Sequence, residues 1–201
     1  SGDWLVLART KHMLREVEDV LHRKGLYYET RHKRSHEKDI QETATDWEHL
    51  RQGQLLAYRQ IEKIYNYMTP EHVEKLKLKG MTKGSFYGID QLTKDFGLKT
   101  KKVWYEALDD VGSKRINYLR KMRKNGEQLN KRPRIELSTI HAAKGGECQN
   151  VVLLTNLTKT TLETYHKNPD DENRLFYVGA TRAKNHLHII RPKDIYKSFK
   201  L

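Results

Sequence analysis

Trp4-Leu5-Val6-Leu7-Ala8 is an unbroken apolar run, the pattern of a strand covered on both faces. Beyond it Met13, Leu14, Val17, Val20 and Leu21 fall on one stripe at helical spacing, with Thr10 placed to cap that helix and Gly25 to end it. Tyr27-Tyr28-Glu29-Thr30 reads as a second strand. A strand, a helix and a strand in about thirty residues is the grammar of a parallel sheet.

From Arg31 to about Arg134 the pattern turns polar, charge-dense and helical, with no convincing strand. Ala57, Tyr58, Ile61, Ile64, Tyr65 and Met68 predict a helix over 46–68, interrupted by Thr69-Pro70 before a shorter one through Val73 and Leu76. Val103, Trp104, Ala107, Leu108 and Val111 predict another; Ser113 opens a further helix that Asn125-Gly126 ends. After Pro133 the buried-strand pattern returns at 135–138, 151–154 and 186–190, with a helix expected from Asp171 to Lys184. The expectation is an α/β domain built from residues 4–30 and 134–201, interrupted by a mainly helical subdomain over 31–133.

Composition narrows the partners. The 201 residues carry a formal charge of +13, which attracts polyanions, although ribosomal and membrane-surface proteins share that balance. One cysteine excludes an internal disulfide, and no apolar run reaches the length of a membrane span, so no membrane partner is expected. Ser1-Gly2 reads as an expression scar, and with no secretory leader visible the expected location is cytoplasmic. The charge concentrates on the 113–125 helix, where Lys114, Arg115, Arg120, Lys121, Arg123 and Lys124 meet no acidic residue. With Trp104, Tyr105 and Tyr118 nearby, that helix reads either as a track for a nucleic-acid backbone, Lys121 and Arg123 being its DNA-binding candidates, or as a solvated face.

Two segments hold candidate chemistry. Residues 138–147, Ser-Thr-Ile-His-Ala-Ala-Lys-Gly-Gly-Glu, follow a strand directly, which in an open α/β sheet places them in the crevice where ligands bind. Small residues let backbone N–H groups approach a phosphate, Thr139 and His141 offer donors, and Glu147 can accept a ribose hydroxyl; a polar turn is the plainer reading. Residues 172–184, Glu-Asn-Arg-Leu-Phe-Tyr-Val-Gly-Ala-Thr-Arg-Ala-Lys, form an apolar stretch bearing arginines that core packing does not need. Arg174 and Arg182 lie roughly 80° apart around a helix, so they serve different neighbours or snorkel over its surface.

In this order the two segments resemble motifs V and VI of the UvrD/Rep-type superfamily 1 DNA helicases. Thr139, His141, Ala143, Lys144, Gly145 and Glu147 match T-x-H-x-(S/A)-K-G-x-E, and Glu172, Arg174, Leu175, Tyr177, Val178, Gly179, Thr181, Arg182, Ala183 and Lys184 match the second pattern. The opening strand, helix and strand are similar to the start of that family's second RecA-like motor domain. The resemblance implies a RecA-like parallel sheet flanked by helices, with Arg182 as the catalytic arginine reaching the γ-phosphate. It implies that Gly145 and Glu147 line the nucleotide side, and that Thr139 and His141 touch single-stranded or partly duplex DNA. ATP and Mg²⁺ would be held mainly by an N-terminal RecA-like domain of the same protein. Gly146 and Asn173 depart from the family pattern.

The 201 residues contain no G-x-x-x-x-G-K-(S/T) loop and no apolar strand ending in Asp-Glu, so the chain alone is expected to be inactive on ATP. Arg9, without the motif that precedes this domain in relatives, reads as structural. Cys148 and His141 do not make a zinc site, and neither a nucleophile elbow nor a nuclease-type acidic cluster is present. The competing reading is a non-catalytic nucleic-acid-binding or regulatory module that keeps the helicase fold.

Overall fold

The computed structural model describes residues 2–30, 33–34, 38–129, 131–143 and 146–200. In chain order the elements begin with β1 (Trp4–Ala8), α1 (Lys11–Lys24), β2 (Tyr28–Thr30), β3 (Lys33–Arg34) and α2 (Lys38–Arg51). Next come β4 (Leu56–Ala57), α3 (Tyr58–Asn66), β5 (Phe86–Tyr87), α4 (Ile89–Asp95), α5 (Trp104–Ala107) and α6 (Ser113–Lys124). The chain closes with β6 (Ile135–Thr139), β7 (Cys148–Leu154), α7 (Lys159–Lys167), α8 (Asp170–Ala180) and β8 (Ala183–Ile190). Two compact units result, Ser1–Ser35 with Asn125–Leu201, and His36–Lys124.

The first unit is a sheet in the order β3-β2-β6-β1-β7-β8, five strands parallel and β3 antiparallel at one edge. This is the α/β fold expected, a parallel sheet flanked by helices. β1 runs between β6 and β7, Leu5 opposite Glu136 on one side and Val151 on the other, so both its faces must be covered and its run is apolar throughout. Leu5, Leu7, Val151, Leu153, Leu175 and Phe176 make the core beneath α8, with Phe199 stacked on Phe176 at 4.0 Å. Leu14 and Leu21 of α1 are buried, and Gly25 takes the left-handed conformation (φ 67°) that lets its N–H cap the helix. Asn125 fastens the returning chain here, its amide donating to the carbonyls of Lys24 and Gly25.

The second unit packs Trp47, Leu50, Ile61, Ile64, Tyr65 and Met122 at its centre, and the Trp47 indole donates to the Lys102 carbonyl at 2.9 Å. Here the periodicity misled. The helix expected over 46–68 is broken: α2 stops at Arg51, Gly53 turns at φ 90°, and Leu56–Ala57 pair antiparallel with Phe86–Tyr87. Burying Leu56 and Tyr87 on one side of a two-residue ribbon needs too little sequence to leave an alternation. The segment through Val73 and Leu76 holds a short 3₁₀ turn over 75–80 in place of a helix.

Candidate functional site

β6 hands the chain to the 140–147 loop through a backbone bond: Ile140 N–H donates to the Ala8 carbonyl at 3.0 Å and its side chain is fully buried. The Thr139 carbonyl accepts from Ala142 and Ala143, and its hydroxyl oxygen accepts from Ala142 N–H at 3.3 Å. The Thr139 O–H thus remains available to donate outward. His141 and Glu147 are exposed. Lys144 and Gly145 lie outside the described residues.

Arg182 follows α8, which ends at Ala180, four residues before the expected end. The chain turns there because Ala183 already pairs with Cys148 as the first residue of β8. Its guanidinium folds back on the helix end, Nε donating to the Val178 carbonyl at 3.0 Å, and one terminal nitrogen reaches the Gly146 carbonyl at 3.4 Å. Cys148 N–H donates to the Arg182 carbonyl at 2.9 Å, and Lys184 Nζ lies 3.5 Å from Glu147. Residues 146–148 and 182–184 are therefore stitched together by three contacts. The segments bearing Arg182 and Glu147 thus meet at the amino ends of β7 and β8 although 35 positions separate the two residues. The outer contacts of Arg182 are long, so a phosphate oxygen can replace a carbonyl at small cost.

The end of β6 and the loop after it border two cavities of the first unit. One, of about 290 Å³, is lined by Ser138 and Thr139 with Lys11 and Thr30; the other, of about 400 Å³, by Gly146 and Glu147 with Arg132 and Glu136. Ala142 lines both.

A residue pair that the sequence pattern did not join ties down the opposite, carboxyl end of the sheet. Arg9, at the end of β1, grips Glu172 in the first turn of α8 with Nε 2.9 Å from one carboxylate oxygen and a terminal nitrogen 2.8 Å from the other. Glu172 is only 4% exposed. Its place in the motif and the position of Arg9 at a strand's carboxyl end were the available signals; their pairing needs the parallel crossover that sets α8 beside β1.

In the helical unit α6 presents its two DNA candidates differently. Lys121 is exposed. Arg123 is half-buried: its guanidinium lies over the Trp104 ring at 4.9 Å and donates to the Thr45 hydroxyl at 3.0 Å, and burial pulls its pKa below the usual guanidinium value. Arg120 covers Tyr105 at 4.0 Å. Arg123 is thus occupied in holding α6 to α2 and α5, and it leaves Lys121 as the better placed of the two for a solvent-borne phosphate.

Residues 112–194 match the family model of the UvrD-like helicase C-terminal domain. The match supports a UvrD/Rep-type C-terminal domain. It takes in α6, the 140–147 loop and α8, so both motif-like segments fall inside the matched span. No curated protein matches the chain. No helix of the described residues is long and apolar enough to cross a membrane.

Proposed function

We propose that the chain supplies the second motor domain of an ATP-dependent DNA helicase or translocase. The observation that carries the reading is that the end of β6 and the loop after it border two cavities, Thr139 on one, Glu147 on the other and Ala142 on both, with Arg182 tied to the Glu147 side through the Gly146 carbonyl. A loop so placed communicates between a nucleotide and a strand of DNA. Arg182 stabilises charge on the γ-phosphate and Glu147 accepts a ribose hydroxyl, and the motif resemblance assigns Gly145 to nucleotide binding as well. Thr139 and His141 donate to DNA backbone, with Lys121 as a further phosphate contact.

The residues fit a nucleotide's edge rather than its whole. Arg182 and Glu147 suit a phosphate and a ribose, but no phosphate-cradling loop occurs in the sequence. Among the described residues no three or more His, Cys, Asp or Glu side chains gather to hold a metal ion, and Mg²⁺ would arrive with the nucleotide phosphates, held mainly by the N-terminal domain. ATP, when bound, supplies the phosphoryl bond whose cleavage drives movement; an N-terminal RecA-like domain of the same protein is the partner assigned to cradle it.

The chain alone is expected to show no ATP turnover. In a protein that joins it to its P-loop domain, Arg182→Ala lowers turnover by about three to five decades with the thermal midpoint unchanged. Turnover by the isolated chain overturns the reading, and an Arg182→Ala protein of normal rate favours the non-catalytic module.

A further inference from the structure

The β4–β5 ribbon of the helical unit carries an apolar face that packing within the unit does not use. Pairing sets Leu56 opposite Tyr87 and Ala57 opposite Phe86, so Tyr87 and Leu56 point inward and are buried while Phe86 points out. Phe86 is 63% exposed and Leu55 62%. They share a side of the ribbon with Gly88, where a Cβ would stand 3.2 Å from Leu55 Cδ2. Of the four phenylalanines, Phe176 and Phe199 are buried and Phe96 meets the Tyr87 ring edge-on at 5.3 Å; Phe86 alone is turned to solvent.

The outward pose is built in. The Tyr87 hydroxyl accepts from Thr82 N–H at 2.7 Å and donates to the Thr82 carbonyl at 3.2 Å, which staples the turn before Phe86 to the strand. Lys83 rides on that turn, no more than about 10 Å of chain from Phe86, and Arg59 follows two residues after Phe86's partner Ala57. Both cations are exposed, and neither makes an ion pair with a described residue. The neighbouring carboxylates are engaged: Asp90 by Lys101 at 2.6 Å and Glu62 by the Tyr58 hydroxyl at 3.0 Å.

We infer that this face is a stacking platform for an unpaired nucleobase, with Phe86 and Leu55 under the base and Lys83 and Arg59 beside its flanking phosphates. An exposed ring with two exposed cations near it along the chain and across the ribbon meets the two needs of single-stranded nucleic acid, a π-surface and charge for the backbone. The surface is independent of the 140–147 loop, which belongs to the other unit.

The test titrates the full 201-residue chain against a short oligothymidine and its abasic counterpart at low salt. Wild type is expected to prefer the base-bearing strand, and Phe86→Ala to lose at least about fivefold in affinity for it and all of the preference. Phe86→Trp keeps the preference, and its added fluorescence is quenched by the base-bearing strand alone. Arg59→Ala with Lys83→Ala weakens both strands equally. His141→Ala, titrated alongside, reports on the loop: if it has no effect while Phe86→Ala does, the loop reading fails and the platform stands. Phe86→Ala binding both strands like wild type overturns the platform. So does a Phe86→Trp signal that answers to an acidic peptide and not to the oligothymidine.

Discussion

Glu172 stands in the first turn of α8, where the helix dipole favours a carboxylate, but it is sealed from water, so Arg9 must carry most of its compensation. Arg9 keeps 24% of its side chain exposed against 5% for Glu172, which makes the pair asymmetric. Arg9→Met strands a buried carboxylate and is expected to cost about 3–5 kcal/mol, whereas Glu172→Gln frees an arginine that can turn to solvent and costs less. Urea unfolding of the two variants checks the order, and equal losses would contradict it. Gly179 is a packing residue of the same helix: a Cβ added there would meet Leu153 Cδ1 at 3.1 Å and Ile140 Cγ2 at 3.3 Å. Leu153 Cδ1 ends a side chain that can shift by a few tenths of an ångström, while Ile140 Cγ2 sits on a stiffer β-branch, and both side chains are buried. Gly179→Ala should therefore stay within about 1 kcal/mol of wild type, its helix-propensity gain of about 1 kcal/mol offsetting the crowding. Gly179→Val adds branches with nowhere to go and should cost about 1–3 kcal/mol by the same measurement.

At the scale of elements, the parallel strands were legible because burial on both faces leaves an uninterrupted apolar run, as in β1 and β7. α1 announced itself by its stripe and by Gly25. What escaped was whatever owed its form to partners far along the chain. α7 is polar and rests on Thr158, whose hydroxyl oxygen accepts from Thr161 N–H, and on Leu162 and Tyr165 touching the core. The end of α8 was overrun because Ala183 and Lys184 keep a helical pattern while β7 recruits them as a strand. Both motif-like segments could be found by residue order, yet the stitching of 146–148 to 182–184 could not, since it depends on β7 and β8 lying side by side. The turn after α3 offers a pH test. Burial pushes the Asp109 carboxyl up, but donation from the hydroxyl and N–H of Thr69 outweighs it and holds its pKa below the ordinary carboxylate value. A depressed carboxylate stabilises the fold above its unfolded pKa and loses that contribution as pH falls through the folded one. Stability of the helical unit should thus decline below about pH 4, and Asp109→Asn should flatten that decline while starting from a lower value at neutral pH. Urea midpoints taken from about pH 7 downward decide it; parallel curves for the two proteins would remove Asp109 from the account.

For the whole molecule the charge of +13 sets how any nucleic acid is held. Single-strand binding weakens with salt by about 0.7 in log K per phosphate neutralised, so three or four contacts predict a slope near −2 to −3. The structure sharpens which residues should carry that slope. Lys121 is exposed on α6 and can release a counterion, so Lys121→Glu should flatten the line. Arg123 lies over Trp104 and donates to Thr45, so Arg123→Glu should destabilise the helical unit before it says anything about DNA. The conservative Arg123→Lys keeps the charge but forfeits the flat stacking, and it should lower stability by about 1 kcal/mol with the slope intact. His141→Ala should lower affinity at every salt concentration and leave the slope nearly unchanged, because a neutral imidazole displaces no counterion. Anisotropy titrations over a salt series, with melting curves for each variant, separate these effects. A slope unmoved by Lys121→Glu would make α6 a solvated face and assign the phosphate contacts to other residues.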